Sequence, residues 1–158
     1  MEQYIEQKIK LEEIFASLNI KYEYQDLDDE DLNYFIIFDT PEGRLKALKS
    51  IGGVLYLSPE YNTLSMLILN VYKFKESDNI ESFYRIINLV NTKLSYGNFS
   101  VYEEKDGESQ IIYRCSIHCG NDFSVLDEQM VKSIIVNFVL GLDELFEHIF
   151  KEKNEKNE

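Results

Sequence analysis

The sequence has no tryptophan, two cysteines, two prolines and seven glycines in 158 residues. Two cysteines cannot build the disulfide framework of a small secreted domain, and their scarcity agrees with a reducing cytoplasm. So little proline and glycine excludes collagen-like, linker-like and low-complexity chains. Long apolar runs are missing too. The longest uninterrupted aliphatic stretch is Met66 to Leu69, far short of the roughly 20 residues that a membrane helix needs. The N-terminus, MEQYIEQKIKLEEIF, has neither a basic start nor a continuous apolar core, so no secretory signal is expected there. Positive charge is also scarce. Lys and Arg number 16 against 29 Asp and Glu, a net charge of −13. That field repels nucleic-acid phosphates and anionic membrane surfaces, and neither is expected as a partner. It can attract basic partners, although solvation alone accounts for it as simply.

Apolar side chains are plentiful. They make up 44% of the residues, with 11 Tyr and 10 Phe, enough for one core without metal or disulfide. The reading is a single domain over residues 1–150 and a frayed polar tail over 151–158. No internal repeat or interdomain linker is visible.

Residues 3 to 18 read as an amphipathic helix, with Tyr4, Leu11, Phe15 and Leu18 on one face and Asn19 as its stop. Ile20, Tyr22 and Tyr24 alternate with polar residues and read as a half-buried strand. After an acidic loop over residues 26–33, Tyr34 to Phe38 is a strand by composition. Residues 44–51 are ambiguous. Thr40-Pro41 and Gly52-Gly53 bracket a possible short helix. Alternatively DTPEG is a hairpin turn and Leu45 to Ile51 a returning strand, which is preferred because no sustained 3.6-residue stripe exists. Val54 to Leu57 and Leu64 to Phe74 follow as strands, joined around Pro59 to Asn62.

The second helix is expected to be capped by Asp78 with Glu81. It carries Ile80, Phe83, Ile87, Val90 and Leu94 as one stripe and stops at Gly97. Phe99 to Glu103, the Asp106-Gly107 turn and Ile111 to His118 form a hairpin. Ile111, Tyr113, Cys115 and Ile117 should share one of its faces. The third helix, Leu126 to Phe150, follows a cap at Ser124 and Asp127. One of its stripes holds Val131, Ile135, Phe138, Leu142, Leu145 and Ile149; another holds Ile134, Val139, Phe146 and Phe150. A face this wide needs cover on more than one side, from the sheet and from a helix of this chain or a second subunit. Gly141 costs about 1 kcal/mol in a helix relative to Ala, so another backbone is expected to approach closely there. Helices separated by runs of strands imply an α+β domain, an antiparallel sheet packed by three helices.

No catalytic constellation emerges. Cys115, His118 and Cys119 form a single ligand knuckle, whereas structural zinc normally takes four ligands in two knuckles. The plain reading is two cysteines packed as small apolar residues. Were both cysteines on one extended strand, they would lie about 13 Å apart, too far for a disulfide. The acidic loop fails the calcium-loop pattern, because Asp31 and Ile37 stand where Gly and Glu are needed. There is no G-x-S-x-G turn, P-loop or G-x-G-x-x-G segment. Paired carboxylates carry no information in so acidic a chain. No catalytic, cofactor-binding or metal residue is assigned.

The stretch from Ile87 to Ile117 does carry a resemblance. Asn91, the Leu94-x-x-Gly97-x-Phe99 turn, Asp106-Gly107 and Tyr113-Arg114 resemble the YbjN family of bacterial sensory transduction regulators. The similarity extends over roughly Ile20 to Phe150. It implies a fold like that of type III secretion chaperones: a small, acidic, cytoplasmic α+β protein with three helices on a twisted antiparallel sheet, often dimeric. The family offers no catalytic residues to transfer. The expected function is a non-enzymatic protein-interaction domain, a regulator or chaperone-like module, with an unidentified protein partner and a homodimer as one possible state. The alternative is a small-ligand domain with its pocket between helices and sheet.

Overall fold

The structure, a computed structural model, describes residues 4–27, 31–39, 50–75, 78–103 and 107–155. The elements are α1 (Ile5–Ser17), β1 (Lys21–Gln25), β2 (Leu32–Asp39), β3 (Ser50–Ser58), β4 (Thr63–Lys75), α2 (Ile80–Asn91), β5 (Asn98–Glu103), β6 (Glu108–His118) and α3 (Glu128–Glu155), with a 3-10 turn at Asn121–Phe123. The strands make one open six-stranded sheet in the order β1-β2-β3-β4-β6-β5, with every neighbouring pair antiparallel. The class is α+β, as the element pattern implies. No helix among the described residues is long and apolar enough to cross a membrane.

Alternation along the strands creates two unequal faces. Tyr34, Ile36 and Phe38 of β2, Leu55 and Leu57 of β3, Leu64, Met66 and Ile68 of β4, and Ile111, Tyr113 and Cys115 of β6 point inward and are buried. All three helices pack on that inner face. Phe138 of α3 meets Phe38, Phe99 and Tyr113. Phe83 of α2 stacks on Phe74, and Phe15 of α1 meets Tyr34 edge-on. One contiguous core results. The buried stripe of α3 runs Val131, Ile134, Phe138, Leu142, Leu145, Ile149. Ile135 therefore moves to the flank, and Ile134 takes the inward position.

The helix ends differ from the expectations in instructive ways. Asn19 does stop α1: it adopts φ +54, and the N–H groups of Asn19 and Ile20 donate back to Ala16 and Phe15, a left-handed C-terminal cap. The cap of α2 is Asn79, whose side chain accepts from the Ser82 N–H. Asp78 instead accepts from the Lys75 N–H in the preceding turn. The helix ends at Asn91 rather than Gly97. Asp127 accepts from the Met130 N–H and opens α3, while Ser124 belongs to the preceding turn.

Residues 151–155 of the expected tail are helical. They are held because Glu152 pairs with Arg85 at 2.9 Å and Lys153 lies over the Tyr72 ring. Gly52 and Gly53 lie inside β3, not at a helix end. The ambiguous segment reaches the described residues only at Ser50 and Ile51, which are strand; residues 44–49, like Asp28, Asp29, Glu30 and Asp106, lie outside them.

Candidate functional site

Asn91, Leu94, Gly97, Phe99 and Tyr113, part of the set that carries the resemblance, meet at one corner and build structure there, whereas Gly107 lies at the other end of the β5–β6 hairpin and Asp106 lies outside the described residues. The Asn91 side chain donates to the Phe99 carbonyl at 2.9 Å and accepts from the Phe99 N–H at 2.8 Å. It thus pairs the outward-pointing backbone of β5 as a neighbouring strand would. Gly97, at φ +67, sits close against the phenol end of Tyr113 and the Arg114 carbonyl. The Tyr113 hydroxyl donates to the Tyr96 carbonyl at 2.9 Å, and the Asn137 side chain donates to both of those oxygens. Gly141 does admit a close neighbour, but the neighbours are side chains rather than a backbone. A Cβ there would stand 2.6 Å from Leu94 Cδ2 and 3.0 Å from Phe99 Cε2.

The same corner sets an alkaline limit. Burial pushes the Tyr113 phenol well above the ordinary tyrosine range. Tyr34 is raised the same way, by burial and then by the neighbouring Glu12 carboxylate, which accepts its hydrogen bond. A raised folded-state pKa means that the contribution to stability is intact below the unfolded value of about 10 and is lost as pH climbs above it. The urea midpoint is therefore expected to hold to about pH 10 and then fall. Tyr113→Phe should make that fall shallower. A midpoint insensitive to pH up to strong alkali would contradict the burial of these phenols.

The soft-ligand residues are dispersed. Cys115 is buried on the inner face, and Cys119 is fully buried beside Met130. Burial raises both thiols, which makes them poor nucleophiles. His118 is exposed, and its Nδ1 accepts from the Gly120 N–H. Among the described residues, no group of three or more His, Cys, Asp or Glu is placed to hold a metal ion.

Two surfaces remain as candidates. The first is the outer face of the sheet. The register aligns Phe35 (β2), Val54 (β3), Leu67 (β4) and Arg114 (β6) in one row across four adjacent strands. Phe35 is 51% exposed, and Ile37 and Leu69 beside the row are 47% and 48% exposed. No described helix packs on this face. Around Arg114 lies an open concavity of about 540 Å³, lined by Tyr56, Leu67, Gly97, Asn98 and Ser116. The Ser116 hydroxyl pairs with that of Ser65.

The second surface is a groove of about 430 Å³ on the helix side, between the end of α1, the end of β2 and α3. Leu18, Ile20, Phe38, Ile135, Val136, Val139 and Leu140 line it, with Asn19, Asp39 and Lys132 as the polar members. Val136 and Leu140 belong to neither apolar stripe read from the sequence, and both are exposed. Among known proteins, no family model, curated protein or solved structure matches this chain.

Proposed function

We propose that this chain is a non-enzymatic protein-interaction domain, a regulator or chaperone-like module, that receives an apolar segment of a partner protein on the outer face of its sheet. The observation that carries the reading is the row Phe35, Val54, Leu67, with Ile37 and Leu69 at its side, on a face that no described helix covers. Phe35, Ile37 and Leu69 are about half-exposed and gain roughly 1 kcal/mol each when covered, Val54 and Leu67 less, and a contiguous group of such side chains is a docking signal where scattered ones are not. The resemblance to the YbjN family and to type III secretion chaperones supports the same reading. The place of action in this reading is the bacterial cytoplasm.

The test selects a displayed random-peptide library on the immobilised wild-type chain. Selected peptides are expected to bind Phe35→Asp and Leu67→Asp at least about tenfold more weakly. Both variants should keep their melting temperature within a few degrees, because neither side chain belongs to the core. Equal binding to wild type and variants, or no selected peptide at all, overturns the proposal.

The helix-side groove supports a second reading, a small-ligand site, because its volume and apolar lining fall in the range of ligand pockets. A metabolite that raises the melting temperature of wild type but not of Val139→Trp would favour that reading.

A further inference from the structure

We infer that the segment received on the outer sheet face is an amphipathic helix of a partner protein, with apolar residues on three successive turns and a carboxylate on the fourth, and that Arg114 pairs with that carboxylate. This rests on the reading of that face as the docking surface.

Charge is the first support. The chain carries −13 overall, and Glu23 flanks Phe35 at the far end of the row, yet the outer face around Arg114 does not share that sign. β4 has no acidic residue, and the only one on β6 is Glu108, which the register sets directly opposite Lys75. Arg114 is exposed, and its guanidinium has no ion pair or hydrogen bond among the described residues. Its row neighbours are Leu67 and Asn98. An unpaired guanidinium next to an apolar row, with amide and hydroxyl donors beside it, complements an anion attached to an apolar body. A carboxylate matches the fork of an arginine best.

Spacing is the second support. Neighbouring strands lie about 4.7–4.9 Å apart, so the row from Phe35 to Arg114 spans roughly 14 Å. A helix laid across the strands advances about 5.4 Å per turn. Over the row it overshoots by only about 2 Å, less than half a strand spacing, and so sets one residue near each strand: apolar positions i, i+4 and i+7 above Phe35, Val54 and Leu67, and an acidic i+11 within side-chain reach of Arg114. An extended segment repeats every 6.6–6.8 Å on one face. It drifts by about a whole strand over the same row, and its carboxylate would miss the guanidinium.

The probe is a fluorescent, stapled 18-residue helix with Leu at those three positions and Glu at the fourth. It is compared by anisotropy with its Gln and Lys counterparts on the full chain. The Glu helix is expected to bind wild type at least about tenfold more tightly than the Gln helix. Arg114→Glu should reverse the order, so that the Lys helix binds it best. That reversal cannot come from misfolding, since it is a gain. If all three helices bind wild type equally, and Leu67→Asp weakens them all, the carboxylate pairing is wrong while the docking face stands. If none binds, and light scattering shows a self-association that Phe35→Asp abolishes, the face is a contact between copies and both readings fall.

Discussion

Replacing Phe138 with alanine is expected to cost about 3–5 kcal/mol, the range for emptying a buried aromatic site. At roughly 2–4 °C per kcal/mol for a chain of this size, the melting temperature should drop by about 6–20 °C. The reason is position as much as volume. The Phe138 ring is 0% exposed and has its centroid 4.8 Å from Tyr113, 6.1 Å from Phe99 and 6.2 Å from Phe38. It therefore ties α3 to β2, β5 and β6 at once. Every wall of the resulting cavity belongs to regular structure, so collapse to fill it is limited. Thermal unfolding followed by circular dichroism checks the value, and Phe138→Leu should recover more than half of it. A loss under about 1 kcal/mol would mean that α3 does not seat on the sheet as described.

The second large effect is expected at Gly97, where alanine should cost about 2–5 kcal/mol. Two terms add. Left-handed backbone costs a residue with a Cβ about 1–2 kcal/mol, and Gly97 holds φ +67. Crowding adds about 1–3 kcal/mol, because the new Cβ would strike the Arg114 carbonyl oxygen and stand 2.6 Å from Tyr113 Oη. Neither obstacle gives way cheaply. The carbonyl is backbone in a paired strand, and the phenol is held by Tyr96 and Asn137. Gly52→Ala is the control, since a Cβ there has ordinary clearance, 3.8 Å from the nearest carbonyl. The urea midpoint should move little for Gly52→Ala and a great deal for Gly97→Ala. Equal effects would show that the close approach at Gly97 does not exist.

Much of this fold was legible in the sequence where periodicity was long. The alternation of Ile111, Tyr113 and Cys115 named the inner face of β6, and the stripe of α3 came out with one position moved. Caps were off by a residue where two acceptors are adjacent. Asp78 and Asn79 can each open a helix, and only the path of the chain chooses between them. The bulge in β4 left no sign. Pairing jumps between Ile68 and Tyr72, with Asn70 at φ +53 and its N–H donating to Gln110 Oε1. No glycine or proline marks that bulge.

The candidate surface was least legible. Tyr34 to Phe38 is uninterrupted apolar sequence with no alternation to tell its faces apart, and Phe35 and Ile37 look outward. Pattern alone cannot show that nothing packs on a face. Arg114 was noticed as part of a motif. Its neighbours Leu67 and Asn98 are more than ten residues away in sequence, and register alone brings them together.

The hydrogen bonds from Asn91 to Phe99 also bear on how copies of this chain can meet. On β5, one outward donor and one outward acceptor are already satisfied by Asn91, so a visiting strand finds that flank blunted. Growth of a visiting strand onto β5, one route to open-ended fibres, is obstructed at that rung. One asparagine thus guards that edge of the sheet against strand addition.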